Sequence, residues 1–252
     1  MLSYSGWQTH AVADGAHLRK LDPAKAPIST AVGVLGMPGF TAYAGLLEIG
    51  RPKAGETVVV AAATGPVGSA VGQIAKVKGA RAVGIAGGPD KCKALLEEFG
   101  FDVAVDHRAP DFVDQLKAAV PDGIDVYFEN VGGEVTEAVV RRLNKFARIP
   151  VCGLVANYNA TSAPDGPDRL PGFLGQVLTL SLNIRGFIQD EFVADHYRDF
   201  VRDMSGWIGD GSVKYREDIV TGLENAPEAF RGLLTGKNFG KLLVLVSEEP
   251  TS

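Results

Sequence analysis

Thr57-Val58-Val59-Val60-Ala61-Ala62-Ala63-Thr64-Gly65-Pro66-Val67-Gly68 is a β-branched run that breaks into a turn of small residues and then into helical spacing. Val67, Val71, Ile74 and Val77 recur at three- and four-residue intervals, the apolar stripe of a helix over 67–78. An uninterrupted apolar strand is buried on both faces, as a parallel sheet flanked by helices requires. Working outward, the same alternation repeats. Strand-like runs lie at 81–85, 102–105, 125–128 and 148–151, separated by stretches of helical length at 90–99, 112–120 and 134–143. Repeated strand–helix–strand units predict an α/β fold, a doubly wound parallel-sheet (Rossmann) domain over 33–212.

The flanks read differently. Residues 1–32 carry turn signals at Gly6-Trp7, Asp14-Gly15 and Asp22-Pro23, with little helical periodicity, and residues 213–252 end in the strand-like run Lys241-Leu242-Leu243-Val244-Leu245-Val246. Together 1–32 and 213–252 read as parts of a second, β-rich lobe. Pro164-Asp165-Gly166-Pro167-Asp168 reads as a loop, and 191–208 as an amphipathic helix whose apolar face also suits a subunit interface.

Composition narrows the function classes. The chain has 252 residues, 46% hydrophobic and 22% charged, enough for a substantial core and close to the globular average. A net charge of −5 supplies no long-range attraction for nucleic acid or an anionic membrane. No apolar run reaches the length of a membrane span, and residues 1–20 lack the basic start and apolar stretch of a secretion signal. The two cysteines, Cys92 and Cys152, and the four histidines, His10, His17, His107 and His196, show no metal-ligand spacing. A cytoplasmic protein without a structural metal is the expectation.

The turn after the first strand has the makings of a dinucleotide site: Gly65 bares the backbone where a pyrophosphate approaches, and Gly68 lets helix and strand close up. Ala62 stands where the usual fingerprint has its first glycine. The following helix offers free N–H groups and a positive dipole end. After the second strand, where an NAD site places an acid for the ribose, the chain reads Ala86-Gly87-Gly88-Pro89-Asp90-Lys91. Asp90 falls at the start of the next helix. The amides of Gly87 and Gly88 with the Lys91 ammonium suit a 2′-phosphate, hence NADP.

Gly36-Met37-Pro38-Gly39-Phe40-Thr41-Ala42-Tyr43, the 62–68 turn, Ala86 to Cys92, and Phe128-Glu129-Asn130-Val131-Gly132-Gly133 follow one another in order. Cys152-Gly153, Asn157-Tyr158-Asn159, Gly186-Phe187 and Asn238-Phe239-Gly240-Lys241 complete the series. Over nearly its whole length the chain resembles the zinc-independent medium-chain reductases: prostaglandin/leukotriene reductases, plant alkenal double-bond reductases and bacterial curcumin reductases. The resemblance implies NADPH-dependent reduction of the double bond of an α,β-unsaturated aldehyde or ketone, and a homodimer. It implies that Gly65, Pro66, Val67 and Gly68 cover the pyrophosphate and that Gly87 and Lys91 hold the 2′-phosphate. Asn130, Cys152, Phe187 and Ile188 would lie near the nicotinamide. Tyr158 would orient the nicotinamide ribose or protonate the substrate, and Asn238 would contact the cofactor. His107, against the adenine ribose, stands where members commonly carry Tyr; together with Arg108 it would still favour a phosphate, with different packing.

The flanks then correspond to a GroES-like lobe, and members of the family carry several dozen further residues ahead of the position of Met1. A quinone reductase of the same superfamily, and an NADP-binding fragment or sensor that has lost catalysis, are the alternatives. For other conspicuous residues the plain readings prevail: Cys152 as a small buried hydrophobe, Glu129 in a capping role, and Trp7 and Trp207 in packing.

Overall fold

Val58, Val59 and Val60 have no exposure at all, and the strand they form, β1 (Thr57–Val60), is the hinge of the topology. The computed structural model describes residues 2–3, 5–162 and 167–247. Around β1 run β2 (Arg81–Ala86), β3 (Val103–Asp106), β4 (Ile124–Phe128), β5 (Leu143–Val151) and β6 (Asn183–Gly186) in a 6-stranded sheet of order β3-β2-β1-β4-β5-β6. Every pairing is parallel. Strand order reverses between β1 and β4, which opens a crevice at their C-terminal ends. Helices α2 (Pro66–Val77), α3 (Pro89–Glu97), α4 (Phe112–Ala119) and α5 (Gly133–Val140) are the crossovers.

Two apolar layers result. One face packs Ile74, Phe101, Phe128 and Phe200 with their neighbours; the other packs Tyr127, Leu116, Val139 and Ile149. Each strand expected between 57 and 151 forms, with two differences at β5. The helix expected over 134–143 stops at Val140, and β5 already starts at Leu143. The register against β4 then slips between Ile124 and Val126, where Phe146 adopts φ +66. A left-handed residue inside a strand marks an irregular, bulged stretch.

Three elements carried no sequence signal. Helix α1 (Met37–Ala44) precedes β1 and runs into a π-turn over Gly45–Gly50, closed by Arg51 at φ +45. Helix α6 (Leu170–Leu180) has no buried residue, and β6 after it is an edge strand. The amphipathic helix forms as α7 (Val193–Gly209), burying Phe200 and Met204. Of the loop expected at 164–168, Pro164, Asp165 and Gly166 lie outside the described residues, as does Met1.

After α7, β7 (Glu217–Thr221), α8 (Ala226–Leu234) and β8 (Lys241–Leu245) form a separate 2-stranded sheet, parallel and in register. The Gln73 side chain ties it to α2, donating to Lys214 O at 2.8 Å and accepting from Lys214 N at 2.7 Å. Arg216 adds a two-oxygen pair with Glu98 at 2.9 and 3.1 Å and lies 3.8 Å above the Phe239 ring. Among the described residues of the 1–32 segment there are two 3-10 turns, Gly15–His17 and Ile28–Val32, and one bridge from Leu2 to Arg19. Trp7 meets Phe230 edge-on, and Trp207 packs beside Tyr43.

Candidate functional site: a dinucleotide cleft at the strand ends

The Ala62 carbonyl organises the turn between β1 and α2. It accepts from Gly65 N at 2.9 Å, and Ala62 itself takes φ +51. A left-handed alanine costs about 1–2 kcal/mol, so the tight turn persists without the first glycine. A Cβ on Gly68 would sit 2.4 Å from that carbonyl oxygen, and one on Gly65 would sit 3.2 Å from it. Pro66 fills the first helical position, where no N–H is missed, and no side chain caps the helix start. The amides of the first turn of α2 therefore face the crevice bare, with the positive end of the helix dipole behind them.

At one end of the crevice, beyond β2 and β3, cations gather. Asp106 Oδ1 accepts from Gly88 N at 2.8 Å and from Arg108 N at 2.9 Å. Burial opposes its ionisation, but these amide bonds hold the carboxyl below its ordinary value. A Cβ on Gly87 would lie 2.8 Å from both Arg108 Nε and His107 Nε2. Burial, then the Arg108 charge, push the pKa of His107 and of Lys91 down. The Lys91 ammonium donates to Gly236 O at 2.8 Å, on the turn that follows α8.

At the other end Asn130 bridges strand ends. Its Nδ2 donates to Ala61 O at 2.9 Å, and Cys152 Sγ donates to its Oδ1 at 2.8 Å. Burial and the neighbouring Glu129 push the Cys152 thiol up to about 12, so it serves as a neutral donor. Glu129 is buried and its carboxylate is saturated. It accepts from Tyr127 OH at 3.0 Å, Val131 N at 2.7 Å, Gly132 N at 2.9 Å and the Thr136 hydroxyl. It thus shapes the turn into α5, the capping role expected of it.

A cavity of about 500 Å³ joins these ends, a size that suits a cofactor. Gly65, Pro66, Val67 and Gly68 form its middle, Gly87, Lys91 and His107 the cationic end, and Asn130 the other end. Asn238 reaches it from the segment between α8 and β8. Four of the expected residues are not on its walls. Cys152 stands behind Asn130. Phe187 is buried, edge-on to Phe128 and Phe192, and Ile188 is 71% exposed at the start of a 3-10 turn. Tyr158 is 64% exposed, its hydroxyl facing Gly153, just past the wall residues Val155 and Ala156.

The sequence reading missed the opposite wall, made by Leu233, Leu234 and Gly236, whereas Arg108, read together with His107 as a residue that favours a phosphate, does line the cleft. The wall residues sit on a crossover helix and turn that the strand-like ending of the chain did not announce. The bare amides, the clearance at Gly65 and Gly68 and the cationic end fit a phosphorylated dinucleotide. Among the described residues no three of His, Cys, Asp and Glu converge, so a zinc ion has no donor set there. Nor is any described helix long and apolar enough to cross a membrane.

Comparison with known proteins agrees with this geometry. Residues 66–203 match the family model described as zinc-binding dehydrogenase. The chain is 55% identical over 247 residues to the NADPH-dependent curcumin reductase of Escherichia coli K12, covering 98% of this chain and 72% of the relative. It is 44% identical over 243 residues to prostaglandin reductase 1 of Sus scrofa, covering 95% and 72%. Among solved structures, CurA from Vibrio vulnificus in complex with NADPH superposes with a TM-score of 0.93 at 53% identity, covering 97% of this chain and 73% of that one.

Proposed function

This chain belongs to the medium-chain dehydrogenase/reductase family, on the branch of the curcumin and prostaglandin reductases, and from that premise we propose that it is an NADPH-dependent oxidoreductase reducing the carbon–carbon double bond of α,β-unsaturated ketones and aldehydes. The observation that carries the reading is one cleft with bare helix amides at its middle and two cations, Lys91 and Arg108, with the His107 imidazole beside them, at one end. That is the charge pattern of a dinucleotide with an extra phosphate on its adenosine half.

In this reading the first turn of α2, from Gly65 to Gly68, takes the pyrophosphate. Gly87, Lys91, His107 and Arg108 surround the adenosine phosphate. Asn130, held from both sides by Ala61 and Cys152, would face the nicotinamide half, with Phe187 and Ile188 in the segment behind it, and Asn238 would contact the cofactor from the far wall. When bound, the cofactor supplies a hydride for the β-carbon of the enone. Negative charge then builds on the carbonyl oxygen, which needs a donor already aimed at it. Tyr158 is the donor assigned here: among the described residues its phenol makes no hydrogen bond, and it stands at the open edge of the cleft. A proton from Tyr158 or water completes the reduction at the α-carbon. Glu129 takes no part in proton transfer, because four donors already occupy its carboxylate.

The test is NADPH consumption with 4-phenylbut-3-en-2-one, with the product identified by mass. Formation of 4-phenylbutan-2-one is the expected result. NADPH loss with quinones and no saturated ketone from any enone would overturn it. Tyr158→Phe should lower kcat by about a hundredfold while leaving NADPH affinity unchanged.

A homodimer completes the proposal. The outer edge of β6 has no strand partner among the described residues, and α6 presents Leu174 and, at 80% exposure, Leu178. Apolar side chains beside an open sheet edge are the features a second copy would cover. Sedimentation giving a monomer at micromolar concentration would overturn it. The two free thiols of Cys92 and Cys152 suit the reducing cytoplasm as the compartment.

A further inference from the structure

A second cavity, of about 660 Å³, exceeds the dinucleotide cleft in volume and shares no wall residue with it. It runs between the 19–35 segment and α7. Leu21, Ile28 and Leu35 line it from one side, and Tyr197, Val201 and Ile208 from the other. Val201 is exposed and the other five are half-buried, so six apolar side chains keep part of their surface in water. The segment is braced by its own polar groups. The Thr30 hydroxyl donates to Pro27 O at 2.6 Å, and Ala24 N donates to Asp22 Oδ1 at 3.1 Å. The Lys25 ammonium lies 3.7 Å from Asp22 Oδ2. Asp22 is the one acid on the walls, and its charge is met from within the segment.

Arg19 and Lys20 line the same groove and have no ion-pair partner among the described residues. In a chain whose net charge is −5, this groove is therefore locally positive. Tyr197 places Arg19: Nη1 donates to the phenol oxygen, and the guanidinium carbon lies 5.9 Å from the ring centre. Arg19 Nε is shielded from water and has no acceptor among the described residues. A shielded donor without an acceptor costs free energy, which an oxygen supplied beside it would recover. The Nε–H and the adjacent Nη2–H point the same way, a fork that fits both oxygens of a carboxylate once the side chain turns slightly toward the groove. An uncharged lipid would leave that fork empty, and a cationic amphiphile would meet Arg19 and Lys20 head on.

We propose that this groove binds a medium-chain aliphatic carboxylate, its chain lying along α7 and its carboxylate on the Nε–Nη2 edge of Arg19, with Lys20 adding charge. The volume is that of a small-molecule site. The site is separate from the dinucleotide cleft, and its occupant need not be a substrate.

The experiment is calorimetry with octanoate, decanoate and decyltrimethylammonium below their micelle concentrations, with and without NADPH. Decanoate should bind one per chain and about tenfold more tightly than octanoate, because two further methylenes leave water. Decyltrimethylammonium should not bind. Arg19→Met should weaken decanoate by about tenfold or more. Val201→Glu, which sets a carboxylate against the chain from a surface position of α7, should weaken it at least as much and keeps the test decisive if Arg19→Met fails to fold. Lys93→Met, which removes an exposed cation on α3, should leave it unchanged. Decanoate should alter neither NADPH affinity nor the KM of the enone. The proposal is overturned if wild type takes up no decanoate, if both groove variants bind it as wild type does, or if decanoate competes with NADPH or the enone, which would put it in the other cleft.

Discussion

Gly68 is the residue on which the phosphate turn depends most directly. A methyl group there would stand 2.4 Å from Ala62 O and 2.8 Å from Ala63 Cα, and both are backbone atoms that no rotamer change can move aside. Gly68→Ala should therefore cost about 1–3 kcal/mol and loosen NADPH binding at least as strongly, read by urea midpoint and fluorescence titration. Gly206→Ala in α7 is the contrast. Nothing lies within 4 Å of its Cβ position, so a gain of about 0.5–1 kcal/mol is expected. Equal effects at the two sites would contradict the close-approach argument. Much of the site was legible at this scale. Gly65, Gly68, Gly87 and Lys91 are residue types that the chemistry demands at those intervals after a strand. Asn130 and Asn238 entered through the family resemblance and do line the cleft. Leu233, Leu234 and Gly236 were not legible, because they reach the cleft from the α8 crossover, which turn residues hid.

Among the elements, β5 is held by a clamp centred on Arg148. Its Nε donates to Gly50 O at 2.8 Å, its Nη2 to Arg51 O at 3.1 Å and its Nη1 to Glu56 Oε1 at 3.1 Å. Thus one side chain gathers the end of the π-turn, the entry to β1 and the middle of β5. Arg148→Ala leaves the half-buried Glu56 with only the Lys53 amide and frees two backbone carbonyls, and should cost about 2–4 kcal/mol. Arg202→Ala, which removes an exposed guanidinium paired with Asp199 and Asp203 on α7, should cost less than about 1 kcal/mol. Chemical denaturation of both variants checks the ranking, and similar losses would contradict it. The strands from β1 to β4 were legible because burial on both faces writes itself as unbroken apolar runs. Helix α1 was not, since seven of its eight residues are buried and no polar face remains to show a period. Helix α6 was missed for the inverse reason: Leu170, Leu174 and Leu178 stay exposed, and Pro171, Gly172 and Gly175 resemble loop chemistry. The segment after α7 looked β-rich because β8 is a clean strand, and the α8 crossover that makes its pair parallel lay unseen between turn residues.

For the molecule as a whole, weak acids shielded from water bear on the alkaline limit, two half-buried thiols and the phenols of Tyr127 and Tyr43 among them. Burial raises the Cys92 thiol from 9.0 to about 11 and the Cys152 thiol from 9.0 to about 12, and it raises the Tyr127 phenol well above its ordinary value. The unfolded chain releases these protons first. The stability they support is complete below about pH 9 and falls as pH climbs toward the folded values. The urea midpoint should be level between about pH 7 and 8.5 and decline above about pH 9. The Cys92→Ala/Cys152→Ala double variant should decline less steeply; parallel curves would contradict this account.

The cleft also has an order of arrival. Its floor is encoded at residues 61–68 and its far wall at residues 233–238. At ordinary rates of translation roughly ten to thirty seconds separate their synthesis. The strands of the large sheet end at Gly186, so they can pair on the ribosome while the nucleotide mouth still lacks a side. Capture of the dinucleotide is then a late event in the life of each new chain. A dinucleotide that needs both walls would therefore meet a sheet whose strands have all been made.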